Sequence, residues 1–139
     1  MVAVGAFIEL NKSGKILILR RSKHIDYLPN AWEIPYGRLK QFEEPIGGLK
    51  REVKEETGMD FVLINLVTYF HTYRGSKPMA ENELVGLVFH VRTQLEIPIL
   101  SPEHSAFKWV TPEEADKLVV EGDMNEDIKA FLDYKKIQS

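Results

Sequence analysis

Four charged residues, Arg51, Glu52, Glu55 and Glu56, fall within about one and a half turns of a predicted helix, where carboxylates held together are costly unless something positive sits among them. At about 100° per residue, Ile46, Leu49, Val53 and Thr57 form one stripe able to pack on a sheet, and the three glutamates fall on its flank. Three carboxylates therefore share a patch at the edge of the core. Alone, a Glu-x-x-Glu-Glu run is usually a solvated helix face. An all-carboxylate set, with no cysteine in the chain and no histidine close by, offers hard oxygen ligands and favours Mg²⁺ or Mn²⁺ over zinc. Such an ion keeps several waters, shares its shell with phosphates and lowers the pKa of bound water. The chemistry that fits is attack of water on a diphosphate.

The flanking residues change the odds against a plain solvated face. Gly37 and Glu43 precede the helix, Glu44-Pro45 opens it with proline at the first helical position, and Gly58 stands where a left-handed residue would end it. With these in place the chain resembles the Nudix hydrolase family, MutT-like. The family's box reads Gly, five residues, Glu, seven residues, Arg-Glu, an apolar residue, any residue, Glu-Glu, any residue, Gly and an apolar residue. Gly37, Glu43, Arg51, Glu52, Val53, Glu55, Glu56, Gly58 and Met59 meet every fixed position. With ordinary residue usage a chance match arises on the order of once in a billion windows.

The resemblance implies an α+β Nudix fold, an α/β/α sandwich with a mixed β-sheet and the catalytic loop-helix-loop, as a single domain over residues 1–139. It implies a metal-dependent hydrolase that cleaves the diphosphate linkage of a nucleoside diphosphate joined to another moiety, with Mg²⁺ or Mn²⁺ as cofactor and a small-molecule nucleotide as partner. Carried over one at a time, Glu52, Glu55 and Glu56 match the metal-binding glutamates, and the backbone carbonyl of Tyr36 completes the shell. Arg51 and Glu43 match the pair that braces loop against helix, with Gly37 and Gly58 supporting the site. A further acid outside the box often binds metal or acts as general base. Glu103, six residues before Trp109, holds that place, with Glu52 and Glu56 next and Glu81 or Glu83 behind.

Two departures bear on the substrate. Tyr36 and Phe42 stand where glycine is frequent, making the loop over the site bulkier and more aromatic, so that it narrows the pocket or offers a stacking surface. Arg20, Tyr36, Arg38 and Arg74 are the candidate substrate contacts. No signature of the ADP-ribose, dinucleoside polyphosphate or coenzyme A subgroups matches convincingly. The alternative is a non-catalytic nucleotide-binding or sensing module, but such modules tend to lose box glutamates and none is missing. An isomerase on the same fold uses a cysteine, which this chain lacks.

Bulk properties set the outer limits. At 139 residues the chain is long enough for one proper core. A net charge of -3 and a pI near 5.8 give no global attraction to nucleic acid or anionic membrane. The amino terminus carries Glu9 and no basic leader, and no run approaches the roughly 20 apolar residues needed to span a bilayer. A cytoplasmic protein is expected, and a homodimer is left open.

The elements that must position the box follow in order. Val2 to Leu10 and Lys15 to Arg21 read as strands joined at Asn11 to Gly14, with 16 to 19 buried on both faces. Ala31 to Pro35 is a short segment delivering Tyr36 and Gly37, and its Trp32 is more often a core residue than a base-stacking one. Gly47 and Gly48 are costly inside the helix, up to about 1 kcal/mol each, unless something approaches closely. Asp60 to Thr72 and Leu84 to Thr93 read as an antiparallel pair, and Ala106 to Val110 as a short strand. Thr111 to Glu114 is a capping box launching a helix through about Val119, and a last helix runs roughly from Asn125 to Lys135 with Ile128, Phe131 and Leu132 on one stripe.

Overall fold

In a computed structural model describing residues 1–121 and 124–138, β1 (Val2–Leu10) and β2 (Ile16–Arg21) run antiparallel, with Gly14 at φ 70° closing the turn between them. The apolar run in β2 is buried on both faces as expected: Leu17 and Leu19 join one core cluster, Ile16 and Ile18 the other. The short segment from Ala31 to Pro35 contains one short strand, and the residues it delivers form a second. β3 (Trp32–Glu33) pairs with β2, and β4 (Tyr36–Arg38) pairs with β1, setting Tyr36 opposite Gly5 and Gly37 opposite Val4. Pieces of two and three residues carry no readable period, so only the neighbouring strand defines them.

Next comes α1 (Pro45–Thr57). The Glu44 carboxylate caps it by accepting from the N–H groups of Ile46 and Gly47 at 3.0 and 2.8 Å, and Gly58 ends it at φ 71°. A β-carbon on Gly48 would strike the Leu39 side chain, which accounts for the glycine there. At Gly47 the nearest atom, Glu44 Oε2, lies at an ordinary 3.7 Å, and no close approach explains it.

β5 (Val62–Tyr73) and β6 (Glu83–Thr93) form the expected antiparallel pair, and β6 then runs parallel to β1 along its whole length. β7 (His104–Val110) starts two residues earlier than its apolar pattern suggests, because β2 pairs with it as far as Arg21 opposite His104. The capping box is present: Thr111 Oγ1 accepts from Glu114 N at 3.1 Å and Glu114 Oε1 from Thr111 N at 3.2 Å, opening α2 (Pro112–Leu118). α3 (Met124–Gln138) is longer at both ends than its apolar stripe, whose Ile128 and Phe131 are buried.

The result is the anticipated sandwich around a mixed sheet. On one face Leu49 and Val53 of α1 pack on Val4, Ala6, Ile8, Leu17 and Leu19. On the other, Ala115, Ile128 and Phe131 of α2 and α3 cover Phe7, Ile16, Ile18 and Val88, with the Phe7 and Phe131 rings stacked at 4.4 Å. Each such side chain fully removed from water contributes about 1.5–3 kcal/mol. α3 is also fixed electrostatically: buried Glu9 accepts from Lys135 Nζ at 2.9 Å and Arg92 Nε at 2.8 Å and pairs with His90 at 3.0 Å. Burial pushes that carboxyl up, but the three partners outweigh it and hold the pKa at about 2. Among the described residues, no helix is long and apolar enough to cross a membrane.

Candidate active site

The alternation of β4 splits its residues between two faces of the sheet. Gly37 turns to the α1 side, where the Glu52 side chain occupies the space a β-carbon would need. Tyr36 turns to the α3 side, where Gly5 leaves room for its ring. It meets Phe70 edge-on at 6.0 Å and donates its hydroxyl hydrogen to Asp127 of α3.

Arg51 is the positive group that the crowded carboxylates require. Its Nε and Nη2 each donate to one oxygen of Glu43 at 2.8 Å, while Nη1 reaches Glu52 at 2.8 Å and Glu55 at 3.3 Å. Nη2 also donates to the carbonyl of Arg38 at 3.2 Å, tying the incoming strand to the helix. The planar fork suits this two-pronged hold on a carboxylate. Arg51, with help from the Lys40 N–H, holds the Glu43 carboxyl down at about 2, and the guanidinium is correspondingly harder to deprotonate. Arg51 and Glu43 therefore form the expected brace between loop and helix.

Glu56 has the opposite environment. It is buried, its Oε2 has no hydrogen-bond partner, and its carboxyl is pushed up to about 9, first by burial and then by the charges of Glu33, Glu52, Glu103 and Glu55. Burial also raises Glu52 against the pull of Arg51. The charges of Glu52, Glu55 and Glu103 all bear on Glu56, Glu103 being carried on the turn before β7. Glu81 lies on the connection between β5 and β6, and Glu83 opens β6, where it is paired with His71 at 2.8 Å; neither is among the main charges that bear on Glu56.

Glu33 is the carboxylate that sequence reasoning missed. It is 4% exposed and bears on Glu56 more than any other charge. The only signal was an acid between Trp32 and Ile34, in a segment too short to show which face it takes.

The donor set fits a hard divalent cation. The negative charges of several carboxylates bear on a buried carboxylate oxygen that has no donor, and a cation would supply the missing positive charge. Among the described residues no three acidic or histidine side chains yet close on a single point, with Glu52 drawn to Arg51 instead.

Beside this cluster lies a cavity of about 790 Å³ whose wall includes Arg21, Glu33, Tyr36, Phe70, Met124 and Asp127. Of the basic residues singled out from sequence, Arg20, Arg38 and Arg74 are exposed and outside its lining; Arg20 donates to the carbonyl of Asn30 at 3.1 Å. Arg21 takes that place, held by the carbonyl of Tyr27 at 2.7 Å and by Glu33 at 3.3 Å. Phe42 does not cover the site: it stands 98% exposed at φ 65°, so of the two departures from glycine only Tyr36 shapes the cavity. Trp32 packs against the α2/α3-side core with Lys108 over its ring.

The site is thus an acidic loop-helix-loop on a mixed-sheet sandwich, with Glu33 common to the acidic cluster and to the wall of the cavity. A model of the NUDIX domain matches residues 1–134, and the chain belongs to that family, whose enzymes act on phosphorus-containing anhydrides. It is 32% identical to the MutT-like protein of Streptomyces ambofaciens, over 84% of this chain and 68% of that protein. It is 29% identical to Nudix hydrolase 5 of Arabidopsis thaliana over 81% of this chain, but spans only 37% of that protein's length. The crystal structure of the MutT protein from Methanosarcina mazei Go1 superposes with a TM-score of 0.78 at 26% identity, covering 98% of this chain and 94% of the other.

Proposed function

We propose that this chain, acting as one domain over residues 1–139, is a Mg²⁺- or Mn²⁺-dependent pyrophosphohydrolase. It cleaves the diphosphate linkage of a nucleoside diphosphate joined to another moiety by attack of water at phosphorus. The observation that carries this is the buried, donorless Oε2 of Glu56 among four other carboxylates, an arrangement suited to a cation and the phosphates it brings.

Glu52, Glu55, Glu56 and Glu103, with the carbonyl of Tyr36, would hold the ion. When bound, it supplies an activated water and neutralises charge on the phosphates. The chain's own residues do the rest. Arg51 and Glu43 keep the loop on the helix so that Glu52 and Glu56 stay aimed at one place, and Arg51 limits their mutual repulsion. The aromatic wall of the cavity, Tyr36 and Phe70, holds the nucleoside, and Arg21 at the Glu33 end faces the diphosphate. A carboxylate of the cluster takes the proton of the attacking water.

The test is a hydrolysis panel with Mg²⁺, covering nucleoside triphosphates, nucleotide sugars, ADP-ribose and dinucleoside polyphosphates, run with Glu52→Gln and Glu56→Gln. Turnover of at least one compound, lost in both variants while each keeps its fold, supports the assignment. Tight nucleotide binding with no product after long incubation would instead establish a sensing module.

A further inference from the structure

Glu103 is exposed, yet its backbone is fixed from several directions. The amide of Ser22 donates to the carbonyl of Glu103 at 2.8 Å, the hydroxyl of Ser22 to the carbonyl of Pro102 at 2.8 Å, and the amide of His104 to the carbonyl of Ser101 at 3.1 Å. The next side chain, His104, is 1% exposed, and its Nε2 lies 2.7 Å from Glu33 Oε2. Glu33, itself 6% exposed in its side chain, also accepts from Arg21 Nη1 at 3.3 Å. Arg21 and His104 face each other across β2 and β7, so one buried carboxylate holds the ends of both strands.

Stability alone gives no reason for this arrangement. Well-packed apolar residues often replace a buried polar pair without loss. Here His104 Nδ1 is buried without a partner, and Glu33 adds a further negative charge beside Glu56. What the pair does achieve is geometric. It anchors the first residue of β7 at the point where the preceding residue must reach the box glutamates.

We infer that Glu33 and His104 are positioning residues, whose hydrogen bond fixes the turn over residues 101–104 and so aims Glu103 at Glu52 and Glu56. This rests on the role proposed above for Glu103. Groups that orient a functional carboxylate through one hydrogen bond commonly set activity by roughly 10- to 100-fold, so a loss of that size is expected when the contact is removed.

The experiment is a double-mutant cycle on the full chain, using the most rapidly hydrolysed nucleotide of the panel above. His104→Ala lowers kcat roughly 10- to 100-fold with KM changed far less. His104→Gln, whose amide nitrogen can stand near the place of Nε2, recovers most of the loss. In a Glu103→Gln background, His104→Ala removes nothing more, because the residue it aims is already disabled. Without metal or nucleotide, amide hydrogen exchange in His104→Ala rises over residues 101–105 and stays unchanged over α1. If His104→Ala fails to fold, His104→Leu, which fills the buried space without the hydrogen bond, enters the same cycle with the same expectations. An equal loss in the Glu103→Gln background, no recovery by glutamine, or unaltered exchange overturns the inference and leaves the Glu103 assignment intact. Full activity in Glu103→Gln overturns both, while the box glutamates are still judged by their own variants.

Discussion

A β-carbon on Gly37 would lie inside the carboxylate of Glu52. The turn glycine and the helix glutamate are fifteen positions apart in sequence, yet each fixes what the other can be. Gly37→Ala must push Glu52 away or bend β4, and if Glu52 holds the metal as proposed, displacing it by about 1 Å costs on the order of 100-fold in activity. Overpacking of this kind also destabilises by about 1–3 kcal/mol. Loss of kcat in a folded Gly37→Ala protein is the expected reading; wild-type kinetics would mean that Glu52 does not need this place.

The two adjacent helix glycines should respond in opposite directions. Gly47→Ala meets only ordinary contact and gains helix propensity, so it should raise stability by up to about 1 kcal/mol. Gly48→Ala collides with Leu39 and crowds Glu43, so it should lower stability despite the same gain in propensity. Chemical denaturation of the pair measures both, and a parallel shift in the two variants would contradict the packing described.

The pH dependence of the metal-free protein should carry the mark of Glu56. Its pKa rises from 4.5 to about 9 on folding, so between those values the folded chain binds more protons than the unfolded one. Stability from this group is therefore greatest below about 4.5 and declines as pH climbs through 9. Glu9 and Glu43, held at about 2, act the other way: their contribution is present above 4.5 and disappears as pH falls through 2. In EDTA, Tm should fall from weakly acidic to alkaline pH, Glu56→Gln should flatten that decline, and Mg²⁺ should stabilise the wild type more as pH rises. An identical slope in wild type and Glu56→Gln would remove the group from this account.

Tyr36→Phe leaves the ring in the space beside Gly5 but withdraws the hydroxyl from Asp127. The change should destabilise by about 1–3 kcal/mol, because a buried carboxylate loses a hydrogen-bond donor. Both residues line the cavity, so KM should rise more than kcat falls. Steady-state kinetics with thermal melting separates the two effects, and an unchanged KM would show that the wall near α3 does not touch the substrate.

Much of this was written in local sequence. The stripe Leu49, Val53 and Thr57, the cap at Glu44-Pro45 and the stop at Gly58 are properties of consecutive residues, so the helix and its acidic flank could be read without the fold. The capping box at Thr111 and the hairpin at Gly14 are equally local. The acidic face of the box was legible for the same reason: three glutamates three and four positions apart share a helix face whatever surrounds them.

What surrounds them was not legible. That Glu56 is buried and donorless while Glu55 on the same turn is solvated depends on which side of α1 meets the sheet and on Glu33 arriving from a two-residue strand. The choice of Arg21 over Arg20 turns on strand pairing at the end of β2, where the register with β7 shifts between these two residues. Residue spacing along a helix determined which carboxylates share a face; long-range pairing decided their burial and their partners, since both depend on chain segments far away in sequence.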